Sequence, residues 1–389
     1  TFLRFSGDRE HIRRLDRFTV AAADLAADGE LSLRVAADGK TSLAQVTMKR
    51  LAFGNTDVFA AADIAENGAV DLSVGGRQLD LRREVAALDT AAPDDSPPPT
   101  AETNATPVRI RVSEAAPIGT VMLGETTTLT GLSGMLRVRG SDLREASLSG
   151  ALNGKSAVTL DVVEAGAARS VRLVSEDGGA LIDALDLTDT IIGGRLELNG
   201  ALGEPGDDET FTGQVDLTDF RLSAASSVSR ALTLASFSGI SDAISGQGLA
   251  VRRAEVPLSL SRDTLGITDA KLRGSDIGVL ATGRIDRRAK TIDLAGEIAP
   301  AYTLNSLLGN IPLIGTLLTG GGDGIFAASF SVRGPLDNPG VSVNPLTVLT
   351  PGIIRRLLTG FGSDNQAVTP VAPDNDPSAP GIPQPPGRQ

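Results

Sequence analysis

Few residues in this 389-residue chain are of types that do chemistry, and their spacing assembles no reactive set. The one histidine, His11, stands in the arginine-rich stretch REHIRRLDR. Alone it builds no HExxH zinc pair, no Ser-His-Asp triad with its partners and no His-ligated zinc site. It reads as a surface side chain. The chain has no Cys, which removes disulfides, thiolate nucleophiles and Cys-based metal sites while leaving the compartment open. Gly320-Gly321-Gly322-Asp323-Gly324 comes nearest to a phosphate cradle, but it joins an apolar stretch to a strand with no Lys following, so it reads as a connector. Glu204-Pro205-Gly206-Asp207-Asp208-Glu209 lacks calcium-ligand spacing and reads as a solvated turn. No G-x-S-x-G elbow or P-loop is present. The expectation is a protein that is not an enzyme and carries no metal and no cofactor.

Composition narrows the remaining classes. A formal net charge of −12 argues against nucleic acid, whose phosphates call for clustered Lys and Arg. It also disfavours tight binding to anionic membrane surfaces outside local basic spots such as Arg355-Arg356. Apolar residues make up 41% of the chain but aromatics only 3%, with no Trp and the single Tyr302. Burial therefore rests on Leu, Val, Ile and Ala rather than on the large rings that fill most enzyme pockets. No run approaches the roughly 18 apolar residues of a membrane span, and the chain opens at Thr1 without a signal-like apolar stretch. We expect a mature or truncated fragment whose membrane anchor lies upstream.

The elements that must position any site are strands. Two segments divide them. Leu88 to Thr106 holds four prolines, four acidic residues and no Lys or Arg, and the tail from Ser363 to Gln389 holds seven prolines. Neither has enough apolar surface to offset the entropy of ordering, so both read as disordered. The expected organisation is a β-rich part over 1–88, an acidic Pro-rich loop over 89–106, a second β-rich part with helices over 107–360, and a disordered tail over 361–389.

Between these segments period-2 alternation dominates: LSLRV (31–35), VDLSV (70–74), VRIRV (108–112), MLRVR (135–139), VTLDVV (158–163), RLELN (195–199), QVDLT (214–218), TIDLAG (291–296) and SFSVR (329–333). In RLELN, Leu196 and Leu198 share one face while Arg195, Glu197 and Asn199 share the other. Such strands belong to antiparallel sheets with one wet face. Asp38-Gly39, Asn67-Gly68, Asn153-Gly154 and Asp177-Gly178 are the dipeptides that two-residue hairpins prefer. The prediction is a single elongated antiparallel sheet rather than two globular domains.

Four stretches carry helical spacing instead: Gly179–Leu187, Ser227–Ser245, Leu304–Leu318 and Thr347–Leu358. Their stripes fit either a plug at the end of a sheet core or contact with lipid at a membrane interface.

The stretch from Asp177 to Leu358 resembles the C-terminal region of AsmA-like proteins, bacterial envelope relatives of the bridge-like lipid transfer proteins. Seven fragments in order carry the likeness: DGGALIDAL, IIGGRLELNG, SGISDAISGQGLAV, ATGRID with TIDLAGEIAP, AYTLNSLLGNIPLIGTLLTGG and RGPLDNPGVSVNPLTVLTPGIIRRLL. GRQLDLRREV (76–85) also suits this group, and residues 1–75 share strand style alone. The resemblance implies a mainly β fold, a long twisted sheet curled into an open hydrophobic trough, with a few short amphipathic helices near the C-terminus. It implies a periplasmic protein tethered to the inner membrane, moving phospholipids toward the outer membrane.

On this reading strand parity places acyl chains against Leu196, Leu198, Val215, Leu217, Ile292, Leu294, Phe330 and Val332, and a one-residue register error would turn each outward. Leu317, Leu318, Ile353, Ile354, Leu357 and Leu358 are the expected contacts to the outer membrane or a partner. Gly334, Pro335, Asn338, Pro339, Asn344, Pro345, Pro351 and Gly352 match the family pattern and read as turn residues capping the trough. The partners expected are phospholipids and both membranes, with no nucleic acid. The alternative is a structural or docking β-scaffold, adhesin-like and without lipid cargo. An outer-membrane barrel is disfavoured by the short strands and the lack of aromatic girdles, and a β-solenoid by the lack of a fixed sequence period.

Overall fold

A computed structural model of the chain describes residues 2–7, 12–22, 24–36, 39–83, 85, 106–140, 142–166, 168–185, 187–203, 210–223, 248–274, 277–300, 326–336 and 338–348. Thr1–Leu349 form one compact unit. The described residues belong to it.

The chain opens with β1 (Phe2–Gly7), β2 (Ile12–Ala21), β3 (Leu25–Val35), β4 (Thr41–Phe53), β5 (Thr56–Ile64) and β6 (Val70–Asp80). Next come β7 (Pro107–Val112), β8 (Ile118–Met122), β9 (Thr128–Arg139), β10 (Asp142–Leu152), β11 (Ser156–Ala165) and β12 (Ala168–Ser175). Helix α1 (Gly178–Ala184) precedes β13 (Ile191–Ile192), β14 (Arg195–Leu202) and β15 (Phe211–Leu222). The last strands are β16 (Leu249–Leu260), β17 (Thr264–Gly274), β18 (Ile277–Asp286), β19 (Thr291–Pro300), β20 (Phe326–Pro335) and β21 (Gly340–Val348). All 21 join one twisted sheet. Each of the nine alternating segments lies inside a strand.

The sheet is mixed, which corrects the expectation of an antiparallel one. β7 and β8 lie end to end along β6 and run parallel to it, with Leu72 opposite Ile110 and Leu79 opposite Val121. Both then pair antiparallel with β9. Parallel neighbours need a crossover of a dozen residues or more, and the stretch from Leu81 to Thr106 supplies it. Elsewhere the pairing is antiparallel, from β1 to β6 and from β9 to β21. A small cluster of Val112, Ile118 and Val121, packed against Val74, Leu79, Leu129 and Leu132, closes the parallel seam.

Turn chemistry follows the sequence at Asn153-Gly154, where both residues take positive φ (50° and 68°) as a type I′ hairpin requires. Asp177-Gly178 is not a hairpin. Asp177 is the N-cap of α1, its Oδ1 accepting from the Ala180 N–H at 3.0 Å, and the helix ends at Ala184 rather than Leu187. The chain turns back after α1 through Gly193-Gly194, so β13 and β14 lie end to end on β15.

Two further corrections concern proline and the last strand. Asn344 and Pro345 are not turn residues but lie within β21, and Thr347 and Val348 extend that strand where a helix was expected. Pro345 falls at a register shift between Ala327 and Ser329 of β20, where no ladder N–H is needed. Pro257 sits within β16 by the same device, at a shift in its pairing with β17. The expected helices over 227–245 and 304–318, and residues 349–358 of the last one, lie outside the described residues.

Candidate functional site: the apolar face of the sheet

Residues directly opposed across a ladder share a face of the sheet. Followed from strand to strand, one such row starts Leu15, Leu31, Val46, Ala62, Leu72, Ile110, Leu136, Ala146 and Val162. It continues Val171, Gly200, Gly213, Leu258, Ile267, Gly283, Leu294, Val332 and Val341. The row crosses the parallel seam and every bulge without meeting a polar side chain. At about 4.8 Å per strand it runs on the order of 80 Å along the hydrogen-bonding direction.

One residue away, the opposite face gives Arg14, Ser32, Gln45, Asp63, Asp71, Arg109, Arg137 and Glu145 in the same strand order. This row is wholly polar, and its charges pair across strands. Arg14 Nη2 meets Glu30 Oε2 at 2.9 Å, Arg137 Nη2 meets Glu145 Oε1 at 2.7 Å and Gln45 Nε2 meets Asp63 Oδ1 at 3.0 Å. Farther along, Arg172–Glu197 (2.7 Å), Arg253–Asp216 (3.0 Å) and Arg333–Asp293 (2.8 Å) continue the pattern.

The eight residues expected to meet acyl chains all belong to the apolar side. Leu196, Leu217, Phe330 and Val332 are buried in the main cluster, and Leu198, Val215, Ile292 and Leu294 pack half-buried against it. Leu196 faces Leu217, Leu198 faces Val215, and Leu294 faces Val332. They differ in what covers them. Leu181 of α1 joins the same cluster, and a Cβ on Gly178 would lie 2.6 Å from Leu217 Cδ1 and 2.7 Å from Leu196 Cβ. The first turn of the helix therefore rests directly on these two leucines, each 4% exposed. Leu198 and Val215 are one pleat farther from the helix. The six expected membrane contacts, Leu317, Leu318, Ile353, Ile354, Leu357 and Leu358, lie outside the described residues, as do His11, the glycine run at 320–324 and the acidic turn at 204–209.

The sequence reading named only the C-terminal half of the face. Leu31 and Leu72 carry the same alternation in LSLRV and VDLSV and were legible by the same rule. Val46 and Ala62 were not, because TSLAQVTMKRLAF and TDVFAAADI mix small apolar residues onto both faces.

Two carboxyls on the charged face near the seam are held below their ordinary range. Hydrogen bonds from Arg82 (Nη2 to Oδ2, 2.8 Å; Nε to Oδ1, 3.0 Å), with one from Asn55, hold the Asp80 carboxyl well below its ordinary range. Arg77, then Arg50, lower that of Asp57. Buried Arg169 donates to the carbonyls of Leu143 and Gly203, tying the start of β12 to β10 and to the end of β14. Among the described residues no three His, Asp or Glu side chains gather as a metal site, and no helix is long and apolar enough to cross a membrane. Against protein-family models, curated proteins and solved structures, the chain finds no match.

Proposed function

We propose that the apolar face shields phospholipid acyl chains and conducts them between the inner and outer membranes of a Gram-negative envelope, without catalysis. The observation that carries this reading is the unbroken row from Leu15 to Val341, set against the polar row from Arg14 to Glu145 one residue away. An acyl chain gains about 0.8 kcal/mol for each CH₂ removed from water, so a carrier needs a continuous apolar wall and no fixed selectivity along it. A chain that fills half of a ~30 Å bilayer core is about 15 Å long, so a wall on the order of 80 Å accommodates several. Charges along the wall would act as barriers, and alternation keeps them on the other side. The resemblance to AsmA-like proteins supplies the rest of the proposal: the periplasmic location, the inner-membrane tether, the curl of the sheet into an open trough and the apolar helices near its C-terminal end.

A second reading has one observation in its favour. α1 already covers Leu196 and Leu217, as it would in a structural or docking scaffold whose helices seal its own sheet. Extraction of fluorescent phospholipid from vesicles separates the two. A carrier removes label from the bilayer in proportion to protein and loses that capacity on Leu198→Asp; a sealed scaffold extracts none.

A further inference from the structure

At the rim where β7 begins and β9 ends, a pocket of about 120 Å³ is lined by Pro107, Arg137, Val138, Arg139, Arg144 and Glu164. Three of its six lining residues are arginines in a chain whose net charge is −12. Their bonding is incomplete. Arg137 spends Nη2 on Glu145 (2.7 Å) and Glu164 (2.8 Å), while its Nε is buried with no hydrogen-bond partner among the described residues. Arg144 lies 3.5 Å from Asp142 and 3.9 Å from Glu164, and its Nε is likewise buried and unpartnered. The side chain of Arg139, exposed at the end of β9, makes no hydrogen bond or ion pair among the described residues.

A buried guanidinium N–H without an acceptor costs about 1–3 kcal/mol, more when charged, and such groups in a folded protein call for an explanation. The Arg137 and Arg144 side chains are nonetheless 33% and 28% exposed, and with Arg139 open beside them they offer guanidinium donors to a single polyoxygen anion. Glu164 lines the pocket 2.8 Å from Arg137 Nη2 and 3.9 Å from Arg144 Nη1 but leaves Arg139 unpaired, so an entering anion shares the cluster with that carboxylate. Arginine forks match phosphate geometry with parallel N–H donors. We propose that this pocket binds a phosphate group, as a monoester or diester, between Arg137, Arg139 and Arg144. Val138, whose neighbours in the β9–β10 and β7–β9 ladders are Leu143 and Val108, continues the apolar face at this rim, while Arg137 and Arg139 beside it stand on the charged face. The phosphate could thus come from a lipid headgroup or from a soluble phosphate ester. The site itself stands independently of lipid conduction.

The test is titration of the full chain with inorganic phosphate, glycerol 3-phosphate and dihexanoyl phosphatidylglycerol below its micellar concentration, read by ³¹P line broadening and calorimetry. Saturable binding is expected, weakened at least about tenfold in Arg139→Gln/Arg144→Gln at an unchanged melting temperature. Should that pair unfold the protein, Arg139→Gln alone, at an exposed and unpaired position, is expected to weaken binding by a smaller measurable factor. Phosphatidylglycerol binding tenfold tighter than glycerol 3-phosphate identifies a lipid headgroup; equal affinities identify a soluble ester. Leu198→Asp is expected to leave inorganic phosphate binding intact, so this site and the acyl wall fail separately. Absence of saturable binding by the wild-type chain, or binding indifferent to both arginine variants, overturns the proposal.

Discussion

Phe330 lies flat over Gly296, its partner across the β19–β20 ladder: a Cβ on Gly296 would stand 2.6 Å from the Phe330 Cε1. Phe18 covers Gly29 and Phe59 covers Gly75 in the same directly opposed way, and Phe211 reaches diagonally over Gly200 and Gly213. Each ring fills the gap that its glycine leaves, so aromatic bulk is spent within the sheet rather than projecting from it. With only 11 Phe in the chain, this use of Phe18, Phe211 and Phe330 keeps the apolar side low in relief, while Phe59, three residues from Ala62, covers its glycine on the charged side.

Gly296→Val is therefore expected to destabilise the protein by about 1–3 kcal/mol, because the new side chain meets both the Phe330 ring and the Leu280 carbonyl. Gly124→Ala, with nothing within 4 Å of its Cβ, should stay within about 0.5 kcal/mol. Chemical denaturation of the two variants beside the wild type checks the contrast.

Helix α1 should behave as a cover seated by two contacts. Leu181→Ala removes its buried anchor and is expected to destabilise by about 2–5 kcal/mol. Asp177→Ala removes the N-cap hydrogen bond to Ala180 and should cost about 1 kcal/mol. Both variants should also raise binding of a hydrophobic dye as Leu196 and Leu217 lose their cover. Unchanged dye binding in a destabilised Leu181→Ala protein would mean that α1 does not shield them.

Single ion pairs on the charged side should matter little. Arg253→Ala breaks the 3.0 Å contact to Asp216, and the expected loss is about 0–1 kcal/mol, smaller still at high salt. Any effect on lipid content would contradict the assignment of this side to solvent.

Acid should weaken the seam region first. The folded-state pKa values of Asp80 and Asp57 lie below the ordinary 3.8, so folding favours their ionised forms. That stability is fully present above the unfolded value and is lost as pH falls through the lower folded values. The melting temperature of the wild type should exceed that of Asp80→Asn at pH 7, with the gap closing below about pH 4. A gap that stays constant down to pH 2 would show that the Arg82 pairing contributes nothing to acid stability.

Strand parity was legible because alternation encodes it twice, in the apolar set and in the charged set. RLELN and QVDLT placed Leu196, Leu198, Val215 and Leu217 on one face, and cross-strand pairing puts those four opposite one another. The parallel seam was not legible, since VDLSV and VRIRV alternate identically whichever direction they pair. Asp177-Gly178 misled because Asp before Gly serves both an I′ turn and a helix N-cap; the apolar Leu181 and Ile182 beyond it decide for the helix. Pro345 misled because proline in a strand is tolerated at a bulge. The arginine pocket left no local signal. Arg137 and Arg139 alternate as solvent-facing residues do, and only the β9–β10 bulge at Arg144 turns a third guanidinium toward them.

The central claim is that lipid occupies the apolar side beyond α1. Native mass spectrometry with lipid extraction, on protein purified from Gram-negative cells, tests it most directly. The account predicts co-purified phospholipid on the wild type and its loss in Leu198→Asp/Leu294→Asp, at half-buried positions outside the helix footprint, with the β-sheet circular dichroism signal retained. A folded wild-type chain that is consistently free of lipid would contradict it.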